Sequence, residues 1–155
     1  MLSLPVITSQ ASEDAPLYNG DLAKDLGVVS RNRTAETVTG GLSYPQKMDT
    51  PAWGISATRC HVGGVLAKEP NTVCSGCYAL KGTFRSPAVE KKLEAAYRGM
   101  SHPLWVPAMI FLIRYHAAER FRWFHSGDLA GVNHLRNIIR VCLEKIGRAS
   151  CRERV

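Results

Sequence analysis

No apolar run in this 155-residue chain reaches the roughly 20 residues that a membrane-spanning helix requires. The best stretch, residues 104–113, is short and carries Pro107. The N-terminus, Met1-Leu2-Ser3-Leu4-Pro5-Val6-Ile7, lacks the basic start and long apolar centre of a secretory signal. There is no internal repeat and no low-complexity tract. These absences lead to the expectation of a cytoplasmic protein without a membrane partner. In that compartment thiols are more often metal ligands or catalysts than disulfide halves. The sequon Asn32-Arg33-Thr34 carries no meaning there.

Acidic residues are scarce beside basic ones, 13 against 20, for a formal net charge of +7. Part of that excess is expected to be foreign. Residues 146–155 match one reading frame of a common sequencing adapter and end where the adapter supplies a stop, so they are left out of fold reasoning. The native chain is then expected to continue past Glu144, and Cys151 to carry no chemistry. Three arginines against Glu153 give this tail +2 of the +7, leaving +5. That moderately basic balance is compatible with an acidic partner such as nucleic acid. The length suits one domain of roughly 100–150 residues.

Three segments are expected: a loosely structured N-terminal segment over 1–50, an α/β domain over 51–144, and the tail over 146–155. Residues 1–50 are broken by Gly20, Gly40, Gly41 and Pro45, with room for a short helix over 21–26 and one hairpin. Residues 53–58 alternate apolar and small polar side chains and read as a strand, and residues 61–71, with Gly63, Gly64 and Pro70, as a loop. A helix opens with Ser86 as N-cap and Pro87 at its first position, and Gly99 suits its end. A second helix is expected over 103–119. The aromatic run 121–126 reads as a strand. A last helix follows, with Val132, Leu135, Ile138, Ile139 and Cys142 on its apolar stripe. This order predicts an α/β fold with parallel strands, a truncated partial barrel. Ligands in such folds gather at the C-terminal ends of strands.

Cys60, Cys74 and Cys77 are the leading candidate ligands. A C-x2-C pair lets two thiolates converge from one turn, and Cys60 completes a set of three. Three thiolates suit an iron–sulfur cluster that keeps one iron open, or a zinc site with His61 as fourth ligand. The bland alternative is three small buried apolar side chains. Cys142 reads as core, His102 and His134 as surface, and His116 as structural. His125, Ser126, Gly127 and Asp128 end the second strand, where a cofactor would bind. Gly127 would allow close backbone approach, and Asp128 would take an amine or hydroxyl. The competing reading of Asp128 is ordinary helix capping. Lys81, Arg85, Lys91, Lys92 and Arg98 form either a solvated helix face or a phosphate-contacting patch.

The elements Cys74-x2-Cys77-Tyr78-Ala79-x-Lys81-Gly82 and His125-Ser126-Gly127-Asp128 resemble the gene product 88 family of phages and prophages, over roughly residues 51–144. That family has no settled function, and the resemblance implies a further helix and strand beyond this sequence. A second resemblance, to radical S-adenosylmethionine enzymes, implies a [4Fe–4S] cluster on Cys60, Cys74 and Cys77. By it, Ser126, Gly127 and Asp128 would meet the amino-acid end of S-adenosylmethionine, and the substrate stays unknown. The usual spacing there is C-x3-C-x2-C, whereas here the first gap is thirteen residues. Two rival expectations stay open: a zinc-stabilised nucleic-acid-binding module, and a structural phage protein without metal.

Overall fold

The structure, a computed structural model, describes residues 14–116 and 120–145. Its elements are α1 (Leu22–Val28), α2 (Asn32–Thr39), β1 (Ala52–Trp53), α3 (His61–Leu66), α4 (Pro87–Gly99), α5 (Trp105–His116), β2 (Arg122–Trp123) and α6 (Val132–Lys145). Short 3-10 turns cover Ala57–Arg59, Tyr78–Leu80 and Gly82–Arg85. The proposed adapter tail lies outside the described residues.

The expectation of an α/β partial barrel is overturned. Among the described residues helices dominate, and the sheet consists of two two-residue strands. Both predicted strands stop early for local reasons. After Trp53, the Ser56 hydroxyl accepts from the Thr58 amide and starts the turn at Ala57. After Trp123, Phe124 takes φ +56, a left-handed conformation that interrupts the extended run of the strand. The expected parallel arrangement does hold for the one pair present, in the register Ala52↔Arg122 and Trp53↔Trp123. On its other edge Ala52 exchanges two backbone hydrogen bonds with Ser43, at 2.7 and 2.8 Å.

The core is organised by α5. Its sequence, Trp-Val-Pro-Ala-Met-Ile-Phe-Leu-Ile, is apolar all round, the pattern of a helix covered on most faces. Pro107 does not break it, because the third helical position has no intrahelical amide bond to lose. Helices α1, α2 and α6 pack on α5. The polar N-terminal stretch therefore contributes Ala15, Val29, Ala35, Val38 and Leu42 to the core. Asp21 caps α1 by accepting from the Ala23 and Lys24 amides, the short helix the sequence suggested.

Trp53 is the aromatic hub. It is 1 % exposed and meets Trp105, Trp123, Phe124 and His134 edge-on, with centroids 5.3–6.1 Å apart. Its indole N–H donates to the Thr39 carbonyl at 3.1 Å. This contact ties the end of α2 to β1.

Helix α6 presents a different face from the one the sequence suggested. Ile138 and Val141 are buried, but so are His134 and Asn137, while Val132, Leu135 and Ile139 are exposed. Two polar contacts fix this rotation. The Asp14 carboxylate accepts from the Asn133 and His134 amides at 2.8 and 3.1 Å, capping the helix from a remote part of the chain. Asn137 accepts from the Tyr18 amide and donates to the Pro16 carbonyl, both at 2.9 Å.

His134, read as a surface residue, is fully buried among aromatic rings, and burial lowers its pKa to about 4. Its Nδ1 accepts from the Ala130 amide, which leaves the proton on Nε2. In the unfolded chain the same imidazole protonates near 6.5. Between those values the unfolded state binds more protons, so stability falls as pH drops from about 6.5 through 4 and levels off below. We expect this group to contribute about 3 kcal/mol to that loss. Urea unfolding across this pH range, with and without His134→Gln, checks it: the variant removes that part of the slope. An identical slope in both proteins refutes the assignment.

Candidate functional site

The site forms where the two parallel strands end. The backbone ladder runs past their assigned limits: the Arg122 amide donates to the Pro51 carbonyl at 3.1 Å, Phe124 to Trp53 at 2.7 Å, and Ile55 to Ser126 at 3.1 Å. The two chains touch most closely at two glycines. A side chain at Gly54 would stand 2.5 Å from the Ser126 carbonyl oxygen and 3.0 Å from His125 Nδ1. Gly127, at φ +76, faces the Ile55 carbonyl, and a Cβ there would stand 2.6 Å from it.

From this crossing each chain delivers its functional residues. Following β1, Ser56 is 1 % exposed and donates to Glu90 of α4 at 2.6 Å. That bond uses its only proton, so Thr58 donates to Ser56 at 2.7 Å. The 3-10 turn then ends at Cys60, which caps α3. Residues 61–66 are helical, not the loop predicted from Gly63 and Gly64. Gly63 instead lies under the thiols: a Cβ built there would be 3.6 Å from Cys74 Sγ and 3.9 Å from Cys60 Sγ. Cys74 and Cys77 bracket a tight turn closed by the Cys77 amide on the Cys74 carbonyl at 3.1 Å. All three cysteines are half-buried free thiols.

Burial pushes the Cys60 thiol up to about 11, and the charges of Asp128, Cys77 and Cys74 act in the same direction. Cys74, Cys77 and Asp128 thus lie close enough to Cys60 for their charges to act on its thiol. No group of three or more His, Cys, Asp or Glu among the described residues stands at metal-holding geometry. His61 is exposed at the start of α3.

Following β2, His125 and Ser126 are 7 % and 2 % exposed. His125 Nδ1 and Ser126 Oγ are buried without a hydrogen-bonding partner among the described residues, and such groups need one, from the protein, water or a ligand. Burial holds the His125 imidazole below its usual pKa; a hydrogen-bonding contact of the ring with the Trp53 backbone opposes this, while Lys92 and Arg122 add to it. Asp128 is exposed and accepts from the Leu129 amide at 2.7 Å. It does not cap α6; Asp14 does.

Tyr78 joins the two halves. Its hydroxyl donates to the His125 carbonyl at 2.7 Å, and its ring meets Phe84 edge-on, with Phe84 in turn 6.1 Å from the His125 ring. The basic cluster is partly spent on other partners. Arg85 pairs with Glu90 at 3.2 Å, and Lys92 Nζ donates to the Leu42 carbonyl at 2.6 Å. Lys81, Lys91 and Arg98 are exposed. Arg59 grips the Glu94 carboxylate through Nε and Nη2 and lies 4.6 Å from the centroid of the Tyr97 ring.

Sequence reasoning did not find Gly54, Ser56, Glu90 or the Tyr78 bridge. Gly54 carried a usable signal, since a glycine inside a strand pattern often marks a close approach of another backbone. We expect Gly54→Ala to destabilise the fold by about 1–3 kcal/mol, because its methyl meets the Ser126 backbone and the buried His125 ring. Urea denaturation measures this. An unchanged midpoint shows that the chains do not cross so closely.

No helix among the described residues is long and apolar enough to cross a membrane. No curated protein and no solved structure matches the chain. The gene product 88 family model matches residues 19–148, which reaches back through α1 and α2 beyond the cysteine motif. The chain therefore belongs to the phage gene product 88 family.

Proposed function

We propose that the chain holds a metal centre on Cys60, Cys74 and Cys77, and that His125, Ser126, Gly127 and Asp128 receive an organic ligand beside it. The observation that carries this reading is the approach of Cys60 and Cys74 to one point at Gly63, with Cys77 and Asp128 close enough to act on the Cys60 thiol. Thiols gathered beside a carboxylate repel one another as they ionise; a soft cation relieves that repulsion.

The centre we favour is an iron–sulfur cluster with one iron left open, because three protein thiolates leave a fourth coordination position. The ligand we favour is S-adenosylmethionine. The chemistry of the donors suits both, though the three thiols do not stand at metal-holding geometry in this structure: three thiols for the cluster, and for the ligand the Asp128 carboxylate with two buried polar atoms that lack partners among the described residues. When bound, such a pair supplies reductive cleavage of a sulfonium and a carbon radical for hydrogen abstraction. The chain's own residues do the remaining work. Asp128 takes the ligand's ammonium, Ser126 Oγ and His125 Nδ1 accept or donate at its polar end, and Gly127 lets the backbone approach. The three thiols must lose their protons for the metal to bind, and burial makes Cys60 resist this, so metal uptake weakens as pH falls.

Iron, sulfide and visible absorption of the anaerobically purified protein test the proposal. We expect iron with sulfide and the broad absorption of a cluster, lost in Cys74→Ser. About one zinc per chain without colour replaces the reading with a structural zinc site. The absence of any thiolate-bound metal removes it.

A further inference from the structure

The turn that carries Cys74 and Cys77 has few ties to the rest of the protein. The hydrogen bonds of residues 72–81 are otherwise local: Ser75 to Thr72, Cys77 to Cys74, Leu80 to Cys77, Lys81 to Tyr78, and the Thr72 hydroxyl to Leu66 and Glu69. Cys77 starts the 3-10 turn Tyr78–Leu80, of which Ala79 is buried at 6 % exposure. Among the described residues, one polar bond leaves this region for a distant part of the chain, from the Tyr78 hydroxyl to the His125 carbonyl at 2.7 Å, across 47 residues. Tyr78 itself is 59 % exposed, so burial does not hold its ring in place. What holds it is this bond and the edge of Phe84, 5.5 Å away between centroids.

We infer that Tyr78 is a positioning residue for the thiol centre, its hydroxyl fixing the Cys74–Cys77 turn against the rim formed by His125, Ser126, Gly127 and Asp128. This rests on the metal-centre reading above. Tyr78 is covalently next to Cys77, so its hydroxyl sets where that thiolate stands relative to Cys60, which the turn after β1 holds in place. The His125 carbonyl it engages belongs to the residue whose Nδ1 lies buried without a partner. One bond therefore sets two distances: thiol to thiol, and thiol cluster to ligand rim. Groups that orient metal ligands from outside the coordination sphere are worth roughly 10- to 100-fold in metal affinity.

The test compares the wild-type chain with Tyr78→Phe, which keeps the ring and removes only the hydroxyl. Cobalt(II) is the probe, because its thiolate charge-transfer band reports the cysteine set whichever metal is native. We expect roughly tenfold weaker cobalt binding by Tyr78→Phe and a changed band shape, with the metal-free proteins unfolding at nearly the same urea midpoint. Equal affinity and an identical band in the two proteins overturn the role of Tyr78 and leave the metal centre standing. Weaker binding accompanied by an equal loss of metal-free stability also overturns it, since the hydroxyl is then merely structural. A wild-type chain that shows no thiolate band removes the metal-centre reading and this inference with it.

Discussion

The pairing of β1 with β2 is the constraint on which the rest depends. It is only two residues long by assignment, yet three backbone hydrogen bonds, from residues 122, 124 and 55, stretch it across the base of the site. A pair this short does not stand alone in water. Trp53 makes it stable, because that one residue accepts the Phe124 amide, donates its indole to Thr39, and fills the centre of an aromatic cluster drawn from α5, β2 and α6. Burying such rings yields more than their area alone, through edge-to-face contact. The helices are thereby coupled to the geometry of two loops. Whatever α2, α5 and α6 do to Trp53 reaches the ends of both strands, and those ends carry the cysteines and the His-Ser-Gly-Asp turn.

How much of this was legible in the sequence depended on whether local rules governed the segment. Helix α4 was readable because the proline preference for a first helical turn is local; Ser86 precedes it without a side-chain capping bond, and Gly99 is its last helical residue, with Met100 as the C-cap. The strands were over-read. The aromatic alternation of residues 121–126 is real, but Phe124 enters the core from a left-handed turn and not from a continuing strand. The extended ladder that a barrel requires was therefore never available. Helix α6 was found but rotated, because the periodicity counted Leu135 and Ile139 and ignored Asn137 and His134. Their inward direction is set by Asp14, Pro16 and Tyr18, more than a hundred residues away in the chain. No local pattern records such a partner.

The candidate site divides the same way. The cysteine spacing and the His125–Asp128 turn stand out as residue types, and the structure brings them to one place. What brings them there is silent in sequence terms: a glycine that admits a carbonyl, a serine hydroxyl spent on Glu90, and a tyrosine hydroxyl spent on a backbone oxygen. The reading of Lys81, Arg85, Lys91, Lys92 and Arg98 as one surface fails to anticipate their partners. Arg85 faces Glu90 and Lys92 reaches Leu42, so two of the five are engaged within the fold.

That partition of charge bears on what the rim can accept. The basic side chains of the α4 region have acids of their own, Arg85 with Glu90 and Arg59 with Glu94, and the carboxylate nearest the thiols, Asp128, takes one backbone amide. The neighbourhood of Cys60 is consequently one that resists ionisation. A nucleophilic or redox cysteine needs the opposite, a cationic neighbour or helix N-terminus strong enough to favour the thiolate. Cys60 does sit at the start of α3, but burial and the surrounding acidic groups outweigh that short helix, and its thiol stays protonated at neutral pH. A thiol in that state is a poor nucleophile and becomes a ligand once a cation supplies the missing positive charge. Burial thus makes proton loss from Cys60 costly for either kind of chemistry, because the thiolate is the reacting form both as nucleophile and as metal ligand.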